Sequence, residues 1–248
     1  MFRRSRASRH PAPRLDEQPL ATAWQVVSLL LDYPDEALVD RVPVVRRAVE
    51  TLPAEVADPV CRFLAFVEGT PLSALQREYV ETFDVTRRCC LYLTYFAHGD
   101  TRKRGLALVQ FKQAYRKAGV EFDAPELPDH LSVVLEFGAA YDAETAWKLL
   151  NDHRAGVEML RIALSDKRSA WHDLVVALVA TLPELKGEDE EKVAALIAQG
   201  PPSEEVGLDL QPYAMDPRLN PRPGDDDVPP PSGSEPVDLG QTIPVGAP

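Results

Sequence analysis

From Leu20 onward the chain repeats one pattern: apolar residues three and four apart, interrupted at intervals by proline or glycine. That spacing places apolar side chains on one face of an α-helix and does not fit the two-residue alternation of a strand. Leu20, Ala23, Trp24, Val27, Leu30 and Leu31 mark one such face, and the helix must end before Pro34. Asp35 is placed to cap a second helix with Leu38, Val42, Val45, Val49 and Leu52 inward, although Pro43 predicts a kink or two shorter pieces. Further helices are expected over Ala54–Glu68, Leu72–Phe83, Asp100–Ala118, His130–Ala140, Asp142–Leu164, Ser169–Leu182 and Glu188–Gln199. The stretch Cys90–Phe96 carries β-formers but has no turn-linked partner strand. The expected class is all-α: a single compact helical domain over residues 18–200.

Charge and composition divide the rest. Residues 1–14 hold five Arg and no acid, so residues 1–17 read as a disordered basic arm. Residues 201–248 hold nine acids, two Arg, 12 Pro and 5 Gly. Such a segment cannot bury enough apolar surface to offset its ordering entropy, and it reads as a disordered acidic tail. With 27 basic and 39 acidic residues the formal charge is −12, which argues against broad nucleic-acid binding. The longest near-continuous apolar run, Leu174–Leu182, is about half of a membrane span. Three Cys make no disulfide framework and fit a reducing compartment. Leu20–Leu31 runs directly into Asp32-Tyr33-Pro34 without a small-residue cleavage site, so no signal peptide is expected and the location is cytoplasmic.

A search for catalytic constellations finds none. The five His (10, 98, 130, 153, 172) form no H-E-x-x-H, and there is no C-x-x-C, G-x-G-x-x-G, P-loop or G-x-S-x-G. Cys89 and Cys90 are adjacent, a poor geometry for joint chelation. A non-enzymatic protein is expected.

Two segments stand apart. Between Val85 and Arg104 lie Arg87, Arg88, Arg102, Lys103 and Arg104 against one acid, with Phe83, Tyr92, Tyr95 and Phe96 alongside. This is either a binding surface or core aromatics beside a solvated helix start. In the second, Glu126-Leu-Pro-Asp-His130, Pro128 keeps Leu127 out of the helical region. Asp129 would then cap the helix starting at His130 and favour its protonated form. Both an acid/base pair and a simple helix cap fit that pattern.

These segments resemble the NarJ branch of the redox-enzyme assembly chaperones, a family that also includes TorD and DmsD. The residues that carry the resemblance are Tyr79–Asp84, Leu91–Tyr95, Gly99-Asp100 with Arg102–Gly105, Glu126–Leu131 with Val134–Phe137, and Leu29–Asp35. The resemblance implies an all-α chaperone for the molybdenum-containing catalytic subunit of a respiratory nitrate reductase. Such a protein would bind the N-terminal peptide of the apo-subunit and hold it off its membrane anchor while molybdenum cofactor is inserted. It would bind no cofactor stably itself.

Helix-in-groove recognition then nominates Tyr79, Phe83, Tyr92, Tyr95, Leu131 and Phe137 as apolar contacts, with His130 opening the face. Glu126, Asp129 and Glu136 would be charge partners for a basic peptide, and the acidic domain would speed the encounter. Arg87, Arg88, Arg102, Lys103 and Arg104 would instead face an anionic partner. Two other readings remain: a small-molecule or metal-handling protein using His98, His130 and Cys89-Cys90, and a generic helical adaptor working through its arm and tail.

Overall fold

The structure, a computed structural model, describes residues 13–99, 101–185 and 187–199. Most of the basic arm and all of the acidic tail lie outside the described residues. The chain divides into two units, residues 1–204 and 205–248, and every described helix belongs to the first.

The described residues form eleven α-helices and no strand. In chain order α1 spans Glu17–Leu30, α2 Glu36–Val49, α3 Ala54–Gly69, α4 Leu72–Tyr79, α5 Tyr95–His98, α6 Arg102–Lys117, α7 Leu131–Ala140, α8 Ala143–Asp152, α9 Arg154–Lys167, α10 His172–Thr181 and α11 Glu188–Gln199. The all-α class expected from the periodicity is the class observed.

α1 is central because its apolar stripe is wide: Leu20, Ala23, Trp24, Val26, Val27 and Leu30 are all buried. It packs on α7, α10 and α2. The indole N–H of Trp24 donates to Thr181 Oγ1 at 3.1 Å, so this buried donor is satisfied. Gly138 lets α7 press onto α1: a Cβ there would lie 2.6 Å from Trp24 ring carbons and 2.5 Å from the Ala146 Cβ. Ser28 Oγ donates to the Ser132 carbonyl at 2.8 Å, tying α1 to the start of α7. On the far side α10 lies against α3, clamped by Arg62, whose Nη2 is 2.6 Å from Asp173 Oδ1.

Local chemistry explains the helix ends, including those that the periodicity misplaced. Asp35 caps α2 as expected, its Oδ1 accepting from Leu38 N–H at 2.7 Å. Pro43, however, does not break α2. It is exposed, so the Val39 carbonyl that loses its helical partner faces water. The expected long helix Asp142–Leu164 is two helices: His153 leaves the helical region, and its half-buried ring donates from Nδ1 to the Leu149 carbonyl at 2.9 Å. The expected helix Leu72–Phe83 is α-helical only to Tyr79 and continues as a π turn over Val80–Asp84.

Candidate functional site

The β-forming stretch after the π turn finds its partner in the linker that leads into α7. Leu93 N–H donates to the Asp129 carbonyl at 3.0 Å and Leu131 N–H to the Leu91 carbonyl at 2.9 Å. This makes one isolated antiparallel bridge between Tyr92 and His130. The alternation of an extended chain buries Leu91 and Leu93 and leaves Tyr92 half-buried on the other side.

Asp129 is 0 % exposed. Its Oδ2 accepts from the Thr94 N–H at 3.1 Å and the Thr94 hydroxyl at 2.6 Å. The sequence expectation of a helix cap is therefore corrected. The N-cap of α7 is His130, and no side chain caps it. Asp129 lies one residue too early to reach the first free amides, and the bridge to Leu93 turns its carboxylate to Thr94 instead. Asp129 Oδ1 is buried with no hydrogen-bond partner among the described residues.

His130 is 8 % exposed, with Nδ1 2.6 Å from Ser132 Oγ and its ring edge-on to Tyr92 at 5.2 Å. Burial pushes its pKa below the usual histidine value, outweighing the opposing fields of Glu126, Asp129 and Asp32. The expected protonated His130 is corrected: the ring is neutral near pH 7. Glu126 shows the reverse balance. Burial would raise its pKa, but hydrogen bonds from the Leu127 N–H (2.9 Å) and the Tyr92 hydroxyl (2.8 Å), with the field of His130, hold it below the usual carboxylate range. The Arg104 guanidinium carbon lies 5.2 Å from the Tyr92 ring centroid and 5.8 Å from that of Tyr95, bringing one cation to both rings.

A second aromatic group adjoins this one. Tyr79 donates its hydroxyl to the Leu31 carbonyl at 3.1 Å. Its ring lies 4.7 Å from Phe83, 5.7 Å from Trp171 and 5.5 Å from Tyr33, which meets it edge-on. The π turn supplies the offset that brings Phe83 back over Tyr79 and Trp171. Burial pushes the Tyr79 hydroxyl pKa up, and the negative fields of Asp32, Asp84 and Glu126 add to the shift. All three carboxylates therefore lie near enough to act on the Tyr79 hydroxyl.

The structure thus brings together Tyr79, Phe83, Tyr92, Tyr95, Glu126, Asp129 and His130. Leu131 and Phe137 are core residues, Phe137 packing 4.4 Å from Tyr115, while Glu136 is exposed on α7. The basic patch is divided. Arg87 and Arg88 are exposed on a 3-10 turn, with Arg88 3.7 Å from Asp166; Arg102 and Lys103 point outward from α6; and Arg104 turns inward onto the tyrosines. Sequence reasoning did not nominate Tyr33, Leu127, Asp32 or Asp84. Tyr33 is 46 % and Leu127 37 % exposed, and the Tyr33 ring meets that of Tyr79 edge-on. A signal for them exists in the sequence: Tyr33 and Leu127 each sit between an acid and a proline, within segments that carry the family resemblance.

Among the described residues, no group of three His, Cys, Asp or Glu is arranged to hold a metal ion. Cys89 is buried, and burial raises its thiol pKa. An open cavity of about 430 Å³ between α4 and the α9–α10 turn is lined by Arg77, Glu78, Glu81, Lys167 and Ser169, none of them among the residues nominated from the sequence. No described helix is long and apolar enough to cross a membrane.

The model of a protein family described as nitrate reductase delta subunit matches residues 50–177, which include the π turn, the Tyr92–His130 bridge and α6 to α9. The chain belongs to that family. Within it, the chain is 34% identical over 180 residues to the nitrate reductase molybdenum cofactor assembly chaperone NarJ of Escherichia coli (strain K12), covering 70% of this chain and 74% of that one. It is 29% identical over 163 residues to a Bacillus subtilis (strain 168) protein named "Probable nitrate reductase molybdenum cofactor assembly chaperone NarJ", covering 65% and 89%. It is also 36% identical over 163 residues to the nitrate reductase-like protein NarX of Mycobacterium tuberculosis (strain H37Rv), covering 64% of this chain. The chain spans only 24% of the length of NarX, so the shared region is one part of a longer protein there.

Proposed function

We propose that this chain is a non-enzymatic assembly chaperone for a nitrate reductase, acting in the cytoplasm on the catalytic subunit before and during insertion of molybdenum cofactor. Membership of the delta-subunit family and the likeness to proteins named as such chaperones support the class. One observation supports the mode of action: the rings of Tyr33 and Phe83 pack on Tyr79, Tyr92 donates to Glu126, and Asp32, Asp84 and Glu126 all act on the Tyr79 hydroxyl. An aromatic surface with carboxylates close by suits a basic, amphipathic segment, and we assign it to the N-terminal peptide of the catalytic subunit. Asp129, Tyr79 and His130 would hold that surface in shape from beneath. Residues 18–200 would be the working domain, with the arm (1–17) and tail (201–248) accessory to folding.

Deleting the gene tests the class. The reductase subunits should still be made but be inactive and poor in molybdenum. Full nitrate reductase activity in a deletion strain without a paralogue would overturn it.

A further inference from the structure

The most one-signed of the described helices has an outward side that takes no part in the proposed peptide site. α6 carries six basic residues and no acid, in a chain whose formal charge is −12. Its apolar side, Ala107, Phe111 and Tyr115, is buried in the domain, and Arg104 turns the same way onto Tyr92. The opposite side lies in solvent. At 100° per residue, Arg102, Leu106, Val109, Arg116 and Lys117 fall within one outward stripe, flanked by Lys103 and Lys112. Leu106 is 69 % and Val109 50 % exposed, one turn apart between the two basic ends.

Two features make this arrangement locally unfavourable. Arg102 and Lys103 sit in the first turn, against the positive end of the helix dipole, where acids belong. The N-cap Thr101 makes no side-chain cap, its hydroxyl donating to the His98 carbonyl at 2.8 Å instead, so no side chain of the cap offsets those cations. Solvent-exposed aliphatics and misplaced cations are what a surface shows when its partner is an anionic layer.

We propose that the outward face of α6 adsorbs to an anionic lipid surface, with Arg102, Lys103, Arg116 and Lys117 over the headgroups, Lys112 lying over the Phe122 ring, and Leu106 and Val109 at the acyl boundary. An acidic protein surface is the other anionic partner, and the composition favours lipid. Lysine is depleted at protein interfaces, and Leu and Val are under-represented among their anchors, whereas both suit a membrane interface. The net negative charge of the domain does not prevent this. Charges across the fold lie beyond the screening length of about 8 Å, while each cation at the leaflet strengthens adsorption about five-fold. Only peripheral contact follows, since the apolar side of α6 is committed to the core.

The test is co-sedimentation of the full chain with vesicles of phosphatidylglycerol and phosphatidylethanolamine in equal parts, against vesicles of phosphatidylcholine alone. Binding to the first and not the second is expected, weakening as salt rises above physiological strength. R102Q, K103Q, R116Q and K117Q combined should weaken it at least about ten-fold with the helical circular dichroism unchanged. Should that variant misfold, the single variant L106W decides: its added tryptophan emission should shift to the blue on anionic vesicles only. No binding to anionic vesicles, equal binding to phosphatidylcholine, or binding that survives the quadruple change (and so belongs to the basic arm) would each overturn the proposal. So would capture of a poly-glutamate peptide without vesicle binding, which would assign the face to an acidic protein.

Discussion

The Asp129 carboxylate accepts both the backbone N–H and the hydroxyl of Thr94, at 3.1 and 2.6 Å, in a site with no exposure to solvent. This joins the segment before α5 to the segment before α7 and holds Tyr92 against His130. Asp129→Ala would leave both Thr94 donors unsatisfied, at a cost of about 2–4 kcal/mol, more than the roughly 1 kcal/mol of a lost helix cap. Asp129→Asn keeps an acceptor and should recover a large part of the loss. Urea denaturation of the two variants checks this; equal stability of Asp129→Ala and wild type would contradict the assignment.

Tyr92 and Glu126 form the exposed end of the same network, at 2.8 Å. Tyr92→Phe removes the donor and should raise the Glu126 pKa toward its ordinary value. Binding of a basic leader peptide at neutral pH should weaken only a few-fold, because Glu126 stays ionised there but is no longer held in place by Tyr92. Calorimetric titration at two pH values bracketing the Glu126 titration measures both effects.

His130 is buried and His153 half-buried, and desolvation holds both pKa values below the ordinary 6.5. The native state therefore keeps them neutral where the unfolded chain is already protonated. Their contribution to stability is complete above about pH 6.5 and is lost as pH falls from there through the native pKa values. His130→Gln should flatten that fall. Denaturation midpoints compared with wild type between about pH 7.5 and about pH 5 test it; parallel pH profiles would contradict it.

Gly138 is fixed by packing. A methyl group there would overlap Trp24 and Ala146 at 2.5–2.6 Å, and both belong to the rigid core. Gly138→Ala should cost at least about 1–3 kcal/mol despite the better helix propensity of alanine. A thermal melt decides it, since a neutral or stabilising outcome would mean that α1 and α7 can separate.

Helix identity was legible in the sequence because it rests on periodicity, and the Trp171–Leu182 stripe or the Asp35 cap needed no tertiary information. Helix ends were less so. The break at His153 depends on where one imidazole meets one carbonyl, and the survival of α2 depends on Pro43 facing water. Tyr92, Glu126, Asp129 and His130 were legible as a group because they share two unusual segments. The role of Asp129 was not: local capping rules could not anticipate Thr94, 35 residues away, as a competing donor. Tyr33 was missed for the same reason, since only the fold sets its ring against Tyr79.

The central claim is that the aromatic surface near Asp32, Asp84 and Glu126 binds the N-terminal peptide of the catalytic subunit. Isothermal titration of the full chain with that synthetic peptide measures it directly. One-to-one binding is predicted, weakening with salt yet persisting, and weakened further by Tyr33→Ala and by Glu126→Gln. Absence of binding to wild type, or an affinity unmoved by salt and by both substitutions, would contradict the account.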